Sequence, residues 1–407
     1  MTPETQILDW LARHEGAMTD LLRALVDVDS GTADKAGVDA AGAVLIRFWR
    51  EHGLDVSVQP VAVHGDIIRA DLPGPAHADP RPVLLLGHRD TVFPPGEAAR
   101  RPFRVENGRG YGPGVADMKA GLVIEAFVMA AFAACGAPLA LRMLTTSDEE
   151  IASPSCAPAI SAAARAARAV FNAEPSRRRS GAAAGNRATQ VVTRGRKGGV
   201  FLRLEATGKA AHSGAHYDRG RSAILDLAQK VAPLHALTDL AAGVSVNVGL
   251  IGGGQTVNTI APHAWAEIDL RYVEPAQRDE MIGRIRAIAL APAVEGVTAE
   301  LTVSGEFLPL VQTPEGQHLL DLYTAAAARL GVEVTAEFTG GCADSGLTAA
   351  AGCPTLCSIG PCGGGGHTPE EWVEMDSILP AAQTLALTLL ALARDEAGRS
   401  APSSGPA

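Results

Sequence analysis

The chain of 407 residues lacks the composition of several broad classes of protein. It has 35 Lys and Arg residues against 45 Asp and Glu residues, and this absence of surplus positive charge argues against a nucleic-acid-binding protein. Its 44 glycines and 26 prolines are about 17% of the chain, below the share that marks fibrous or disordered proteins. No two of the six cysteines are spaced as Cys-x-x-Cys, which disfavours a cysteine-based zinc site or a disulfide scaffold.

Signals for export or membrane insertion are also missing. The first five residues, Met-Thr-Pro-Glu-Thr, contain no basic region followed by an apolar core, so we expect no secretory signal. The longest weakly charged stretch, at 121–136, contains Glu125 and is too short to span a bilayer, which favours a buried helix. The sequence therefore predicts a cytoplasmic protein with reduced cysteines that binds neither nucleic acid nor membranes.

The apolar patterns predict two kinds of domain. A continuous apolar run at 83–86 is typical of a strand buried on both faces, and helices and strands alternate after it, which predicts an α/β layered domain. From about residue 198 the predicted order is strand, helix, strand, strand, helix and strand, which favours a compact α+β, ferredoxin-like domain. We expect one domain built from 1–197 and 307–397, an inserted domain at 198–306 and a disordered tail at 398–407.

The strongest local pattern is Gly-His-Arg-Asp-Thr-Val at 87–92, at the end of the predicted buried strand. His88 and Asp90 are two residues apart, so in an extended chain their side chains point the same way. One can bind a metal ion while the other accepts the second hydrogen bond of the imidazole ring. A capped or surface histidine is the alternative explanation.

Two loop positions could each supply a ligand. Asp117 lies in a Gly-rich turn directly before a helix; an N-cap would explain the aspartate, whereas the surrounding glycines indicate close approach of the backbone to another group. His367 follows four consecutive glycines at 363–366, which makes a position in the core unexpected for it.

Acidic residues follow two of the predicted strands. Glu149 and Glu150 come after a strand at 139–144, with Asp148 before them, and Glu174 follows a strand at 169–171. A solvated loop would explain them, but functional groups of α/β folds gather at strand ends, and a divalent cation relieves the repulsion between crowded carboxylates. A set of histidines and carboxylates suits catalytic zinc, cobalt or manganese rather than a closed structural zinc site.

In this order and spacing the motifs resemble those of the M20 metallopeptidases, most closely the glutamate carboxypeptidase-like branch, over about residues 21–392. The motifs are GHRDTV at 87–92, PFRV at 102–105, YGPGVADMK at 111–119, SDEE at 147–150, EPS at 174–176, RKG at 196–198, GKAAHSG at 208–214, VNTIAP at 257–262, DLRY at 269–272 and GHTPEEW at 366–372. The resemblance implies a zinc-exopeptidase-like α/β/α catalytic domain, with the inserted domain acting as a lid and dimerisation domain.

The resemblance also implies a site for two Zn²⁺ ions, for which Co²⁺ or Mn²⁺ can substitute. The implied ligands are His88, Asp117 and Glu174 for one ion and Asp117, Glu150 and His367 for the other. Asp90 would orient His88, and Glu149 would be the general base. The peptide bond between Asp117 and Met118 would be cis.

Three residues of the inserted domain acquire roles from the same resemblance. His212 would stabilise the oxyanion, and in dimeric relatives this histidine reaches the active site from the partner subunit. Asn258 would bind substrate or oxyanion, and Arg271 would clamp the terminal carboxylate of the substrate. Without the resemblance, His212 is explained as a polar loop residue and Arg271 as a surface residue paired with Asp269 or Glu267.

The leading interpretation is a homodimeric, dinuclear zinc hydrolase that releases a C-terminal amino acid from an N-acyl amino acid or a small peptide. The alternative within the family is a deacylase, deacetylase or dipeptidase with a different acyl pocket. One departure bears on this choice, because the chain has Ser-Gly-Glu-Phe at 304–307, where the glutamate carboxypeptidase branch carries an arginine-containing stretch. A non-catalytic metal-binding scaffold would require a missing ligand or base, and the chain has all of them.

Overall fold

The computed structural model describes residues 2–76, 78–179 and 189–400 of the chain. Its last helix continues through residue 400, so the prediction of a disordered tail is wrong for residues 398–400. Residues 401–407, the rest of the predicted tail, lie outside the described residues.

The helices and strands of the described residues are as follows. The helices are α1 Pro3–Arg13, α2 Glu15–Val26, α3 Lys35–Glu51, α4 Glu97–Arg100, α5 Ala120–Cys135, α6 Ala157–Ala166, α7 Ala223–His235, α8 Pro275–Leu290, α9 Pro314–Arg329, α10 Ser345–Ala350 and α11 Ile378–Ser400. The strands are β1 Asp55–Gln59, β2 Ile67–Leu72, β3 Val83–His88, β4 Arg104–Glu106, β5 Arg109–Tyr111, β6 Leu141–Thr146, β7 Ala169–Asn172, β8 Thr189–Arg196, β9 Gly198–Thr207, β10 Ser245–Gly253, β11 His263–Tyr272, β12 Thr298–Phe307, β13 Glu333–Thr339, β14 Thr355–Cys357, β15 Gly363–Gly364 and β16 Trp372–Glu374.

Internal packing divides the chain into two compact units. The first, called the catalytic unit below, comprises residues 1–195, 312–338 and 347–407; the second, the inserted unit, comprises 196–311 and 339–346. The short segment 339–346 is part of the inserted unit because its backbone bonds there: Thr339 accepts a hydrogen bond from the Lys197 N–H at 3.1 Å. The sequence placed this segment in the other domain.

The catalytic unit is built around an eight-stranded sheet with the strand order β1-β2-β6-β3-β7-β14-β8-β13. Its centre is parallel, since β3 pairs in parallel with both β6 and β7, and all six residues of β3 are buried, as the apolar run predicts. The mixed α/β architecture expected from the sequence is therefore confirmed.

Helix α5 is the main buried helix of this unit, with every residue from 120 to 132 buried. Together with the turn before it, the helical stretch Val115–Cys135 is 21 residues long and 83% buried, and Met375–Asp395 is a second stretch of this length, 67% buried. Both are long and apolar enough to cross a membrane by length and composition, and the buried helix predicted at 121–136 is confirmed. Most of their apolar surface is covered by the protein itself.

The inserted unit contains a four-stranded antiparallel sheet with the order β10-β11-β9-β12. Along β11 exposed or half-buried residues alternate with buried ones, which is the pattern of a sheet with one face packed on its own core. The buried face packs with α7 and α8, which supply Leu227, Leu234, Met281 and Ile285 to the same apolar cluster.

A small third sheet, β15-β16-β5-β4, was not predicted from the sequence. In it Trp372 lies opposite Tyr111 and Val373 opposite Gly110. This pairing places the Gly-rich loop that carries His367 beside the Gly-rich turn that carries Asp117, although the two are about 250 residues apart in the chain.

Candidate active site

The carboxyl ends of three parallel strands meet at one edge of the large sheet. His88 is the last residue of β3, Glu149 and Glu150 follow β6, and Glu174 follows β7. Because β6, β3 and β7 are neighbours and run in the same direction, these side chains gather at the same place, as the sequence predicts.

Asp117 joins this edge from an irregular turn, Val115–Lys119, that leads into α5. The peptide bond between Asp117 and Met118 is cis, as the resemblance implies. One carboxylate oxygen of Asp117, Oδ1, lies 3.2 Å from Nε2 of His88, and the other, Oδ2, lies 3.4 Å from Nε2 of His367. Asp117 thus stands between the two histidines.

The five predicted ligand side chains form two groups that share Asp117. In the inner group, Nε2 of His88 lies 3.7 Å from Oε1 of Glu174, and the His88 side chain is 1% exposed. In the outer group, Nε2 of His367 lies 3.1 Å from Oε2 of Glu150, and the His367 side chain is 57% exposed. The ligand atoms of His88, Asp117 and Glu150 all lie within 4.8 Å of one another.

Glu149 lies beside the inner group. Its Oε2 is 3.9 Å from Nε2 of His88, and the residue is 7% exposed. Adjacent glutamates therefore face different neighbours: Glu149 approaches His88, and Glu150 approaches His367.

Asp90 is completely buried and has more partners than the sequence suggests. Its Oδ1 is 3.4 Å from Nδ1 of His88, although the same ring nitrogen is closer, at 3.1 Å, to the backbone carbonyl of Asp90. The carboxylate also accepts hydrogen bonds from the backbone N–H groups of Glu149 at 3.2 Å and Glu150 at 3.3 Å, and from the hydroxyl of Thr32 at 2.7 Å. Asp90 therefore links the histidine to the loop of the two glutamates, a role that no local sequence pattern signals.

The charges of this cluster shift the pKa values of its members. Burial lowers the pKa of His88, but the charge of Glu149 and the hydrogen bond to Asp117 outweigh it and raise the pKa well above the usual value. The hydrogen bond to Asp117, followed by that to Glu150, raises the pKa of His367 to about 10. Burial raises the pKa of Glu150, whereas the pKa of the Asp117 carboxyl is lowered, because its bonds to the two histidines outweigh its burial.

The raised pKa values of the two histidines and the lowered pKa of Asp117 favour opposite charges on these three groups, whereas burial disfavours the charge of Glu150. Metal ligation requires neutral imidazole and ionised carboxylate, so a divalent cation that enters such a site displaces the imidazole protons. Nitrogen and oxygen donors from histidine and carboxylate are the set that catalytic zinc, cobalt or manganese uses. The residues present therefore fit a metal centre.

In the inserted unit His212 and Asn258 lie on adjoining exposed loops. The Ser213 N–H donates a hydrogen bond to the Asn258 carbonyl at 3.0 Å. Nδ1 of His212 accepts hydrogen bonds from the N–H groups of Gly214 and Ala215 at 3.2 and 3.1 Å. A neutral His212 therefore carries its proton on Nε2, where it can donate to a ligand.

The guanidinium of Arg271 contacts two polar partners of the inserted unit, in addition to the ring of Phe201. Its Nε donates to Oδ2 of Asp269 at 3.0 Å, the pairing that the residue's strand position alone suggests, and its Nη1 lies 2.6 Å from Sγ of Cys342. The thiol contact was missed by the sequence analysis because Cys342 lies 71 residues away. In the segment 304–307, where the resemblance implies an arginine-containing stretch, Oε2 of Glu306 accepts from Nη2 of Arg278 at 2.6 Å.

Comparison with known proteins decides the family. Residues 84–391 match the sequence profile of peptidase family M20/M25/M40. The chain belongs to this family. It is therefore a hydrolase of the metallopeptidase and amidohydrolase type, as the motifs predict, and enzymes of this family depend on a metal ion.

Individual relatives differ in the reaction they catalyse. The chain is similar to carboxypeptidase G2 of Pseudomonas sp. (strain RS-16), with 28% identity over 90% of this chain and 86% of that protein. It is similar to acetylornithine deacetylase of Photorhabdus laumondii, with 26% identity over 90% of this chain and 94% of that protein. Its fold resembles the crystal structure of the M20 family metallo-carboxypeptidase Sso-CP2 of Sulfolobus solfataricus, with a TM-score of 0.74, 18% identity, and coverage of 91% of this chain and 98% of that one.

Proposed function

We propose that the chain is a dinuclear zinc amidohydrolase of the carboxypeptidase type, which releases an amino acid with a free α-carboxylate from an N-acyl amino acid or a small peptide. The observation that carries the proposal is the sharing of Asp117 by two histidine-carboxylate groups, at 3.2 Å from His88 and 3.4 Å from His367. A single aspartate between two such groups suits a pair of ions, since each of its oxygens faces one group.

The ligands would be divided as the two groups suggest. The inner ion would be held by His88, Asp117 and Glu174, and the outer ion by Asp117, Glu150 and His367. A pair of divalent cations supplies Lewis acidity, which polarises the scissile carbonyl and lowers the pKa of water. Zn²⁺ is the proposed ion, and Co²⁺ or Mn²⁺ share its preference for these donors.

Glu149 would move the proton in this reaction. Its carboxylate lies beside the inner ligand group, with Oε2 at 3.9 Å from Nε2 of His88. It would accept the proton of the attacking water and deliver it to the leaving amine, which is the work of a general base and then a general acid. Asp90 would keep Glu149 in place through the backbone N–H bond at 3.2 Å.

The inserted unit would supply the groups that bind substrate. The Nε2 proton of His212 suits stabilisation of an oxyanion, and the Asn258 amide on the adjoining loop would bind the same region of the substrate. Arg271 would take the α-carboxylate of the substrate, because a planar guanidinium binds a carboxylate with two parallel hydrogen bonds. In exchange it would give up contacts with Asp269 and Cys342.

A deacylase or deacetylase activity is the second candidate, and one observation favours it. The segment 304–307, where the resemblance implies an arginine-containing stretch, carries the acidic Glu306, which is paired with Arg278. An acidic side chain of the substrate would not be attracted to Glu306. Similarity to acetylornithine deacetylase over 90% of the chain supports the same candidate.

We further propose that the enzyme is a homodimer formed through the inserted unit. Strand β10 is an edge strand of its sheet, and it exposes Leu250 by 59% and Ile251 by 53%. Helix α7 exposes Ile224 and Leu225 as well. Apolar side chains on an unpaired edge favour pairing with a second copy, and sedimentation analysis at several concentrations tests this assembly.

The test of the proposed activity is hydrolysis of a matched substrate panel by metal-free and zinc-restored protein. The panel contains N-acetyl amino acids, N-aroyl amino acids and dipeptides, each with a free or an amidated carboxyl terminus. We expect activity only after zinc is restored and only with a free carboxylate. Hydrolysis that is unaffected by metal removal, or that is equal for the amidated substrates, would refute the proposal; a preference for N-acetyl over peptide substrates would select the deacetylase.

A further inference from the structure

Glu371 is a buried acidic residue of the GHTPEEW motif to which neither the resemblance nor the proposed function gives a role. It is 0% exposed. Its Oε2 accepts a hydrogen bond from the Gly114 N–H at 2.9 Å, and its Oε1 accepts hydrogen bonds from the Ala116 and Asp117 N–H groups, each at 2.9 Å. The last of these donors is the backbone of the aspartate that stands between the two histidines.

The turn before α5 requires an acceptor of this kind. Residues 114–117 approach the site in an irregular conformation, with φ of 71° at Gly114 and non-helical angles at Asp117. Buried N–H groups that lack a partner cost stability. A carboxylate has two oxygens with about four acceptor positions, so one glutamate satisfies three N–H groups of this turn at once.

Only glycine fits at the start of this turn. A Cβ on Gly114 would lie 2.5 Å from Cγ2 of Thr91, far inside a normal contact, and its φ lies in the left-handed region that side chains disfavour. The Gly114 N–H is thereby directed to Glu371. The glycines of this turn and the distant glutamate form one structural arrangement.

The same glutamate is connected to the loop of His367. The Glu371 N–H donates to the carbonyl of Thr368 at 3.3 Å, one residue after His367. The next residue, Trp372, begins β16 and pairs with Tyr111, which precedes the turn of Asp117. Glu371 therefore lies at the junction of the two loops that carry Asp117 and His367.

We propose that Glu371 is a positioning residue that fixes the backbone of Asp117 relative to His367, so that the shared carboxylate can serve both metal ions. The inference rests on the proposed function, because that function assigns Asp117 and His367 to metal. Glu371 touches neither substrate nor metal in this account. It acts through the backbone of a ligand, in the manner of the outer partners that set ligand geometry in metal sites.

The experiment measures metal affinity and stability separately in three variants. Glu371→Gln keeps the length of the side chain but turns an amide N–H₂ toward backbone N–H groups. Glu371→Asp keeps both oxygens on a shorter side chain. Glu370→Gln, at the exposed neighbouring position, is the matched control. Zinc affinity is measured by competition with a chromophoric chelator, the Co²⁺ absorption spectrum reports ligand geometry, and thermal unfolding is followed on the metal-free chains.

We expect E371Q to bind zinc about 10- to 100-fold more weakly than the unaltered chain, with an altered Co²⁺ spectrum. E371D should lie between the two, and E370Q should match the unaltered chain. If E371Q does not fold, the same loss of affinity in E371D carries the test.

Two results would overturn the proposal, and they are distinguishable. Unchanged affinity and spectrum in folded E371Q, or in E371D where E371Q does not fold, would refute positioning by Glu371 even if the unfolding temperature fell, and would leave the metal centre intact. Failure of the unaltered chain to bind two ions would refute the proposed function itself, and this inference with it.

Discussion

The catalytic unit and the inserted unit hold their predicted functional residues in different ways. In the catalytic unit six side chains from five separate segments come together, with nitrogen-oxygen distances of 3.1 to 3.9 Å. In the inserted unit His212 and Asn258 lie on exposed loops, and Arg271 is held by Asp269 and Cys342. All six side chains of the first cluster come from the catalytic unit itself. His212, Asn258 and Arg271 of the inserted unit are instead separate polar groups that suit contact with a ligand.

The two cores show a similar contrast in how they bury a carboxyl group. Asp226 of the inserted unit is fully buried and paired with Lys230 at 2.6 Å. Glu125 of the catalytic unit is also fully buried, on helix α5, which follows the turn of Asp117. Burial raises its pKa well above the ordinary value. One carboxylate is therefore stabilised by a cationic partner, whereas burial favours the protonated form of the other, so the two cores should respond differently to mutation and to pH.

The largest effect is expected at Glu149. Glu149→Gln removes the proposed base without removing a proposed ligand, so kcat should fall by about 10²- to 10⁴-fold while zinc content stays the same. Its neighbour supplies the control, since Glu150→Gln should weaken zinc binding as well. Turnover and bound zinc are measured on the same samples, and a fully active E149Q would remove Glu149 from this role.

Breaking the buried ion pair should give the largest change in stability. Lys230→Met removes the cationic partner of the buried Asp226 and leaves it, among the described residues, the backbone N–H groups of Ala293 and Val294 at 2.7 and 2.9 Å. We expect the free energy of unfolding of the inserted unit to fall by about 3–5 kcal/mol, measured by denaturant titration. Lys209→Met, at an exposed position of the same unit, should change it little, and equal losses in the two variants would contradict the contrast between the cores.

Arg271 tests whether the inserted unit binds the substrate carboxylate. Arg271→Met removes a charged hydrogen-bond donor worth about 1.5–3 kcal/mol, which corresponds to roughly a 10- to 150-fold loss in kcat/KM. The loss should appear mainly in KM and only for substrates with a free carboxyl terminus. Steady-state kinetics with the matched amide provide the control, and an equal loss for both substrates would indicate that Arg271 acts on the structure instead.

The effect expected at Glu125 differs from the others because it should depend on pH. The ordinary pKa of a glutamate carboxyl, which applies to the unfolded chain, is 4.5. Below this pH the Glu125 carboxyl is protonated in both the folded and the unfolded state and has no effect on the pH dependence of stability. Above it the unfolded chain releases the proton while the folded chain keeps it, so the unaltered chain loses about 1.4 kcal/mol of unfolding free energy per pH unit until the folded pKa is reached.

Glu125→Gln removes this titration. As the pH rises from 4.5 to 7, the free energy of unfolding of the variant should therefore increase relative to that of the unaltered chain. Denaturant unfolding of the metal-free chains across this range provides the measurement. A stability difference that does not change with pH would mean that the Glu125 pKa is not raised by folding.

The sequence predicted most of the histidine-carboxylate cluster at the carboxyl ends of β3, β6 and β7 because the signals for these residues are local. The apolar run before His88 identifies a buried strand, and the acids after β6 and β7 follow from strand ends in a parallel sheet. The order of the motifs supplied the family. The resemblance already implied that Asp117 is shared, and the structure adds the distances of 3.2 Å to His88 and 3.4 Å to His367.

Contacts between distant segments could not be predicted in the same way. The bond between Glu371 and Gly114 joins residues 257 positions apart, and it depends on the small sheet of β5 and β16, whose three-residue strands have too few residues for a periodic pattern. The thiol of Cys342 beside Arg271 is a further case, since a lone cysteine has no local signature. These contacts are set by tertiary packing, which overrides what short segments specify.

The most direct test of the metal centre is anomalous diffraction from crystals of the zinc-loaded enzyme. The account predicts two zinc peaks about 3.5–4 Å apart, one bound by His88 and Glu174, the other by Glu150 and His367, with Asp117 between them. A single peak, or peaks bound by residues outside this set, would contradict it.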